Sequence, residues 1–231
     1  MNLALFDLDN TLLADDSDYL WGHFLMDEGL VERADYESGN DYFYRQYQAG
    51  TLDIHAYQRF ALAPLTTLSP ADIDALQRKF LATRVEKIVA PAARGLLEAH
   101  RDRGDELVII TATNRIVTAP IAAHLGVDHL LATEPAFEND RVTGEIEGVP
   151  CFQDGKIERL RQWLDERPAQ YTRSWFYSDS RNDLPLLEYA DVAVAIDPDP
   201  VLEQAARERG WPVLSLRHQP AEEVFGRVAG R

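Results

Sequence analysis

Three short segments and one lysine of this 231-residue sequence concentrate side chains that can do chemistry. Asp7-Leu8-Asp9-Asn10-Thr11 sets two carboxylates two residues apart, Thr111-Ala112-Thr113-Asn114 is rich in hydroxyls, Lys156 follows, and Asp179-Ser180-Arg181-Asn182-Asp183 adds two more acids. Side chains at i and i+2 of an extended strand project to the same side, so Asp7 and Asp9 are expected to face one cavity. Four carboxylates around one point repel one another, which a shared cation would relieve. Oxygen-only ligands favour a hard ion, and Mg²⁺ is the expected one because it keeps waters and accepts anionic oxygens. The six histidines, His23, His55, His100, His124, His129 and His218, are scattered and read as packing or surface. Cys151 is the single cysteine and reads as an inert buried thiol, so no zinc-type cluster competes.

The elements that must bring these segments together are legible in the apolar runs. Strand-like runs fall at 3–8, 106–111, 174–178, 191–196 and 212–216, and helical patterns at 92–103, 115–125, 156–166, 184–189 and 201–209. Near-continuous apolar strands alternating with helices imply an α/β fold, a parallel sheet covered on both faces. In such sheets ligands bind beyond the carboxyl ends of the strands, which is where the acids and hydroxyls lie. Residues 15–89 break the rhythm. They carry helical spacing (Ile73, Leu76, Phe80, Leu81) after a capping box with proline at the first helical position, Ser69-Pro70-Ala71-Asp72. The aromatics Tyr36, Tyr42, Phe43, Tyr44 and Tyr47 read as the packing of this helical insertion. Glu138-Asn139-Asp140-Arg141, between strand-like flanks, reads as a small β-hairpin flap over 135–148. The organisation expected is a core of 1–14 and 90–231 with a helical cap domain of 15–89.

Thirty-nine acidic against twenty-three basic residues give a formal charge of −16, which repels nucleic acid and anionic lipid, and no basic patch offsets it. A hydrophobic content of 45% belongs to a folded globular chain. No apolar run is long enough to span a membrane, the first residues meet acid too early for a signal peptide, and a lone cysteine suits a reducing compartment. A cytoplasmic location is the expectation.

The motifs Asp7-Leu8-Asp9-Asn10-Thr11-Leu12, Thr111 after Leu107-Val108-Ile109-Ile110, Lys156 and Asp179-Ser180-Arg181-Asn182-Asp183 resemble those of the haloacid dehalogenase superfamily of phosphatases. The helical insertion, the flap and the single-lysine third motif are similar to its phosphoserine phosphatase-like branch. The resemblance implies a Rossmann-like parallel sheet, and a Mg²⁺-dependent phosphatase in which Asp7 attacks phosphorus to form an aspartyl-phosphate. It also implies Mg²⁺ held by Asp7, the Asp9 carbonyl and Asp179, and phosphate held by Lys156, Thr111 and Ala112. Asp9 would protonate the leaving group and then activate water. Asp183 would orient Lys156, Asn182 would help position the metal's shell, and Thr11 would support the turn. Three residues depart from the family's pattern: Ser178 before Asp179, expected to narrow the approach to the metal; Thr111-Ala112 in the second motif; and Arg181 among the acids. The second acid, Asp9, disfavours dehalogenation, because a halide leaves without a proton.

Specificity is expected from the insertion. Asp16 and Asp18 would hold a substrate ammonium, and Arg45 and Arg59 would clasp a carboxylate if the substrate has one. The expected partner is a small phosphorylated metabolite bearing an amino group, such as phosphoserine or histidinol phosphate. A phosphotransferase using the same intermediate and a non-catalytic binding module are the alternatives.

Overall fold

The computed structural model describes residues 1–230. Seven strands form one sheet: β1 (Leu3–Phe6), β2 (Glu106–Asn114), β3 (His129–Glu138), β4 (Arg141–Glu147), β5 (Ser174–Ser178), β6 (Val192–Ile196) and β7 (Val213–Leu214), in the order β4-β3-β2-β1-β5-β6-β7. All neighbours are parallel except β3 and β4, which form the expected hairpin. Its two-residue turn is Asn139-Asp140, both at positive φ, the geometry that matches the twist of paired strands. The order reverses at β1, which opens a crevice beyond its carboxyl end between β2 and β5.

The central strands carry near-continuous apolar runs because both faces are covered. Ala4, Phe6, Leu107, Ile109, Trp175, Tyr177, Val192 and Val194 point to one face, whereas Leu3, Leu5, Val108, Ile110, Phe176, Ala193 and Ala195 point to the other. Helices α5 (Ala93–Asp102), α6 (Arg115–His124) and α10 (Ala221–Val228) close the first face. On the second lie α7 (Asp154–Asp165), α8 (Leu184–Tyr189) and α9 (Pro200–Arg209). Two elements escaped the sequence reading: the sheet-forming part of β3, whose His129-Leu130-Leu131-Ala132 is a short run beside a flap motif, and α10.

Residues 15–89 contain α1 (Ser17–Asp27), α2 (Arg33–Ala49), α3 (Ile54–Leu62) and α4 (Pro70–Thr83), the last begun by the predicted capping box. Their core does not stand apart. Trp21, Phe24, Leu62, Ile73 and Phe80 belong to the same buried cluster as the first sheet face. Trp21 packs edge-on against Phe80, ring centroids 5.1 Å apart. The two chain crossings pair with each other: Ala90 N–H donates to Leu12 O (2.9 Å), and Leu13 and Val89 form an antiparallel bridge. No helix is long and apolar enough to cross a membrane among the described residues.

One histidine sits fully buried under the sheet. His100 contacts the rings of Phe6, Trp175, Tyr177 and Phe225, with Nδ1 2.7 Å from Asp105 Oδ2 and Nε2 2.7 Å from the Tyr177 hydroxyl. Burial pushes its pKa down to about 4 from 6.5. The unfolded chain therefore binds this proton first, and the stability the neutral ring contributes is complete above pH 6.5 and lost as pH falls towards 4. Urea unfolding should show the stability gap between wild type and His100→Gln widest at pH 7 and smaller by up to about 3 kcal/mol at pH 4. A gap that does not change with pH contradicts a neutral His100.

Candidate active site

The first acids meet by a turn, not by strand alternation. β1 ends at Phe6, and Leu8–Leu12 winds into one wide turn closed by Leu13 N–H to Leu8 O (2.9 Å). Asp9 is extended inside it and Asn10 adopts φ 58°, a left-handed conformation that asparagine tolerates better than most residues. The chain thereby doubles back and turns both carboxylates into the crevice. Asp9 is pinned at both oxygens: Ser17 N–H, at the start of α1, donates to Oδ1 (2.7 Å), and the Thr113 hydroxyl donates to Oδ2 (2.8 Å).

Thr113 was not singled out by the sequence reading, and its place follows from a β-bulge. β2 loses register with β3 between Ile110 and Asn114, so Thr111-Ala112-Thr113 bends out over the strand ends. The alternation of threonines across Ala112 was the available signal. The Ala112 carbonyl accepts hydrogen bonds from Thr133 Oγ1 (2.8 Å) and Gln58 Nε2 (3.4 Å), which hold the bulge in place.

Lys156 lies in the first turn of α7 and is only 2% exposed. Its Nζ is 2.8 Å from Asp7 Oδ1 and 2.7 Å from Asp183 Oδ1. Burial opposes its charge, but Asp183 and Asp7 outweigh that and hold the ammonium above its ordinary range. A helix N-terminus and an ammonium at one place both favour an anion. α7 can begin there because Gly155 is glycine; a Cβ would lie 2.2 Å from Pro150 O.

Thr11 joins the two acid segments. Its Oγ1 lies 3.4 Å from Asp7 Oδ2 and 3.2 Å from Asp179 Oδ1, and accepts from Asp179 N–H at 3.0 Å. Residues 172 positions apart are thus held around one hydroxyl. Burial pushes Asp7 up to about 7 against the pull of Lys156, and does the same to Asp9. Burial, then Asp7 and Asp183, hold Asp179 well above the carboxylate range. Ser178 does not crowd this approach as expected: it is fully buried and its hydroxyl donates to Asp183 Oδ2 (2.7 Å), bracing the acid that holds Lys156. The Asn182 amide spans Gln153 Nε2 (3.3 Å) and Tyr47 O (3.1 Å), so it ties this turn to α2. Arg181 donates its backbone N–H to Asp199 Oδ2 (2.6 Å), and its guanidinium lies against Gly50 at the end of α2.

A cavity opens in front of Asp7 and Asp9. Asp7, Asp9 and Thr111-Ala112-Thr113 line one side; Asp16, Asp18, Tyr19, Asn40, Phe43, Tyr44, Tyr47 and Tyr57 line the other. Part of the aromatic cluster read as packing therefore walls the cavity, while Tyr36 stacks on Phe60 (4.4 Å) and Tyr42 is exposed. Asp16 caps α1, accepting from the Asp18 and Tyr19 N–H groups at 2.9 Å. Asp18 is buried with Oδ1 unpartnered. Burial pushes it up to about 7, with the Tyr57 and Thr113 hydroxyls opposing. Arg45 and Arg59 stay outside the cavity: both are exposed, and Arg59 faces Glu145 of β4 at 3.7 Å. Cys151 is buried and inert, its thiol pushed up to about 12 by burial.

The model of the haloacid dehalogenase-like hydrolases matches residues 4–188. A histidinol-phosphatase of Neisseria meningitidis serogroup C is 43% identical over 220 residues, 94% of this chain and 99% of that protein. A phosphoserine phosphatase of Mycobacterium tuberculosis is 32% identical over 222 residues, 93% of this chain and 70% of that protein. Among solved structures, a Bordetella pertussis protein of unknown function has a TM-score of 0.88 at 40% identity, covering 93% of this chain and 98% of its own. A substrate-bound phosphoserine phosphatase complex, with a TM-score of 0.71 at 17% identity and 98% coverage of both chains, shares the fold. With the acids, the hydroxyls and the lysine gathered where such a fold binds ligands, the chain belongs to the haloacid dehalogenase-like hydrolase family, as one of its phosphatases.

Proposed function

We propose that this phosphatase hydrolyses a small amino-bearing phosphomonoester through a phosphoryl group carried on Asp7, with 1–14 and 90–231 as the catalytic core and 15–89 as a cap. The observation that carries the reading is the buried ammonium of Lys156 held between Asp7 and Asp183, with Asp179 sharing the Thr11 hydroxyl with Asp7 and Asp9 lining the same cavity. Asp7 forms the new bond to phosphorus while the bond to the leaving oxygen breaks. Asp9, pinned beside it, protonates that oxygen and later takes a proton from the attacking water. Lys156 and the Thr111-Ala112 bulge hold the phosphoryl oxygens, and Asp183 aims Lys156.

The acids fit a divalent cation. Asp7 and Asp179 crowd one hydroxyl and are both driven towards their neutral forms. Among the described residues no three His, Cys, Asp or Glu side chains converge as a protein-only cage. Two carboxylates completed by a main-chain oxygen such as Asp9 O, by water and by substrate is the manner in which Mg²⁺ binds. When bound, Mg²⁺ would offset the repulsion between carboxylate and phosphate dianion.

The cavity supports a choice between the two expected substrates. Its lining carries Asp16, Asp18 and five aromatic rings but no lysine or arginine among the described residues. A cationic head on a flat ring finds acids and π faces there. A substrate carboxylate finds no counterion. Histidinol phosphate therefore suits it better than phosphoserine, and the relative at 43% identity bears that activity in its name.

Free phosphate should be released without an added alcohol acceptor, should require Mg²⁺, and should fall below detection in Asp7→Asn; undiminished release by that variant refutes Asp7 as nucleophile. In a panel of phosphorylated metabolites, kcat/KM for histidinol phosphate should exceed that for phosphoserine. Asp18→Asn should raise KM for the amino-bearing substrate by about tenfold or more with a smaller change in kcat. An unchanged KM removes Asp18 from substrate recognition.

A further inference from the structure

The leaving-group acid stands on a turn that cannot orient it alone. Asp9 lies beyond the end of β1, next to a left-handed residue, so no strand neighbour fixes its side chain. Its two carboxyl oxygens are held from opposite directions. Ser17 N–H is one of the donors at the α1 N-terminus that have no partner within the helix. The second is the Thr113 hydroxyl, on the bulge of β2 and only 4% exposed. The hydroxyl also faces Asp18, but its one proton makes the 2.8 Å hydrogen bond to Asp9 Oδ2.

We infer that Thr113 is a positioning residue for the leaving-group proton transfer, fixing the Asp9 carboxyl against the α1 N-terminus through the Thr113 Oγ1–Asp9 Oδ2 hydrogen bond. The inference rests on the reading of Asp9 as the acid. With the hydroxyl removed, Oδ2 loses its donor, and the carboxyl, held only by Ser17 N–H at Oδ1, can turn its plane. Proton transfer needs heavy atoms within hydrogen-bond reach, so this loss acts on the step in which the leaving oxygen takes up its proton. Buried threonine also packs, and a packing defect would slow every substrate alike.

Leaving groups separate the two. An alkyl phosphate must have its oxygen protonated, whereas p-nitrophenyl phosphate expels a stable phenolate. kcat/KM reports the steps up to that departure. Thr113→Val should lower kcat/KM by about 10- to 100-fold both for histidinol phosphate and for an alkyl phosphate without an amino group, whose loss cannot come from amine recognition by Asp18, and at least tenfold further than for p-nitrophenyl phosphate. Thr113→Ser should restore the alkyl substrates. Asp9→Asn, measured alongside, should show the same leaving-group split. If Asp9→Asn shows the split and Thr113→Val lowers alkyl and aryl substrates equally or neither, the positioning role is overturned. If Asp9→Asn shows no split, Asp9 is not the acid, and the role falls with that reading. Thr113→Ala supplies the same comparison if the valine variant does not fold.

Discussion

A buried ammonium shared by two carboxylates is the interaction on which the rest of this site depends. Lys156 reaches Asp7 from the end of β1 and Asp183 from the turn after β5, so three segments far apart in sequence are drawn to one point. Removing ions from water costs several kcal/mol each, and such a pairing is tolerable only with good geometry and further hydrogen bonds. Ser178 supplies one of those bonds to Asp183 and Thr11 lies against Asp7. The charges still do not balance, since Asp7 and Asp183 share one ammonium and Asp179 shares the Thr11 hydroxyl with Asp7. That excess is what makes the place fit for a divalent cation and, with the α7 N-terminus beside it, for a phosphoryl group.

The helices of residues 15–89 are bound into this arrangement rather than laid upon it. Their aromatic core is continuous with one face of the sheet, and their polar contacts fall on the reactive segments themselves: Ser17 on Asp9, Gln58 on Ala112, Tyr47 on Ser180 and Asn182. The same helices supply the acids and rings of the cavity. In the proposed reading, recognition and chemistry are joined by direct contact, since α1 and α2 carry groups that hold Asp9 and the second acidic turn.

Much of this was legible in the sequence because it is local. Trp175-Phe176-Tyr177 and Leu107-Val108-Ile109-Ile110 are unbroken apolar runs, as a sheet buried on both faces requires, and β5 falls where its run predicts. Ser69 and Asp72 cap α4 reciprocally, as their spacing implies, and Asn139-Asp140 makes the hairpin turn. The acids were recognisable because two pairs end apolar runs. Less legible was the inner part of β3, where a strand of ordinary composition becomes a sheet member only by pairing with β2. The same is true of α10, whose apolar face is defined by the α5 surface it covers.

Types and spacings of residues determined the class of fold, the identity of the acids and the lysine, and the chemistry they suit, because strand burial, turn conformation and ionisation are properties of short segments. Tertiary structure alone decided three things: the convergence of Asp7 and Asp9 through a left-handed turn, the direction of the Ser178 hydroxyl, and the exclusion of Arg45 and Arg59 from a cavity walled by Tyr44, Tyr47 and Tyr57. Each of these depends on which side chain stands opposite across a fold boundary. Such neighbours are set by the packing of distant elements, which no local pattern records.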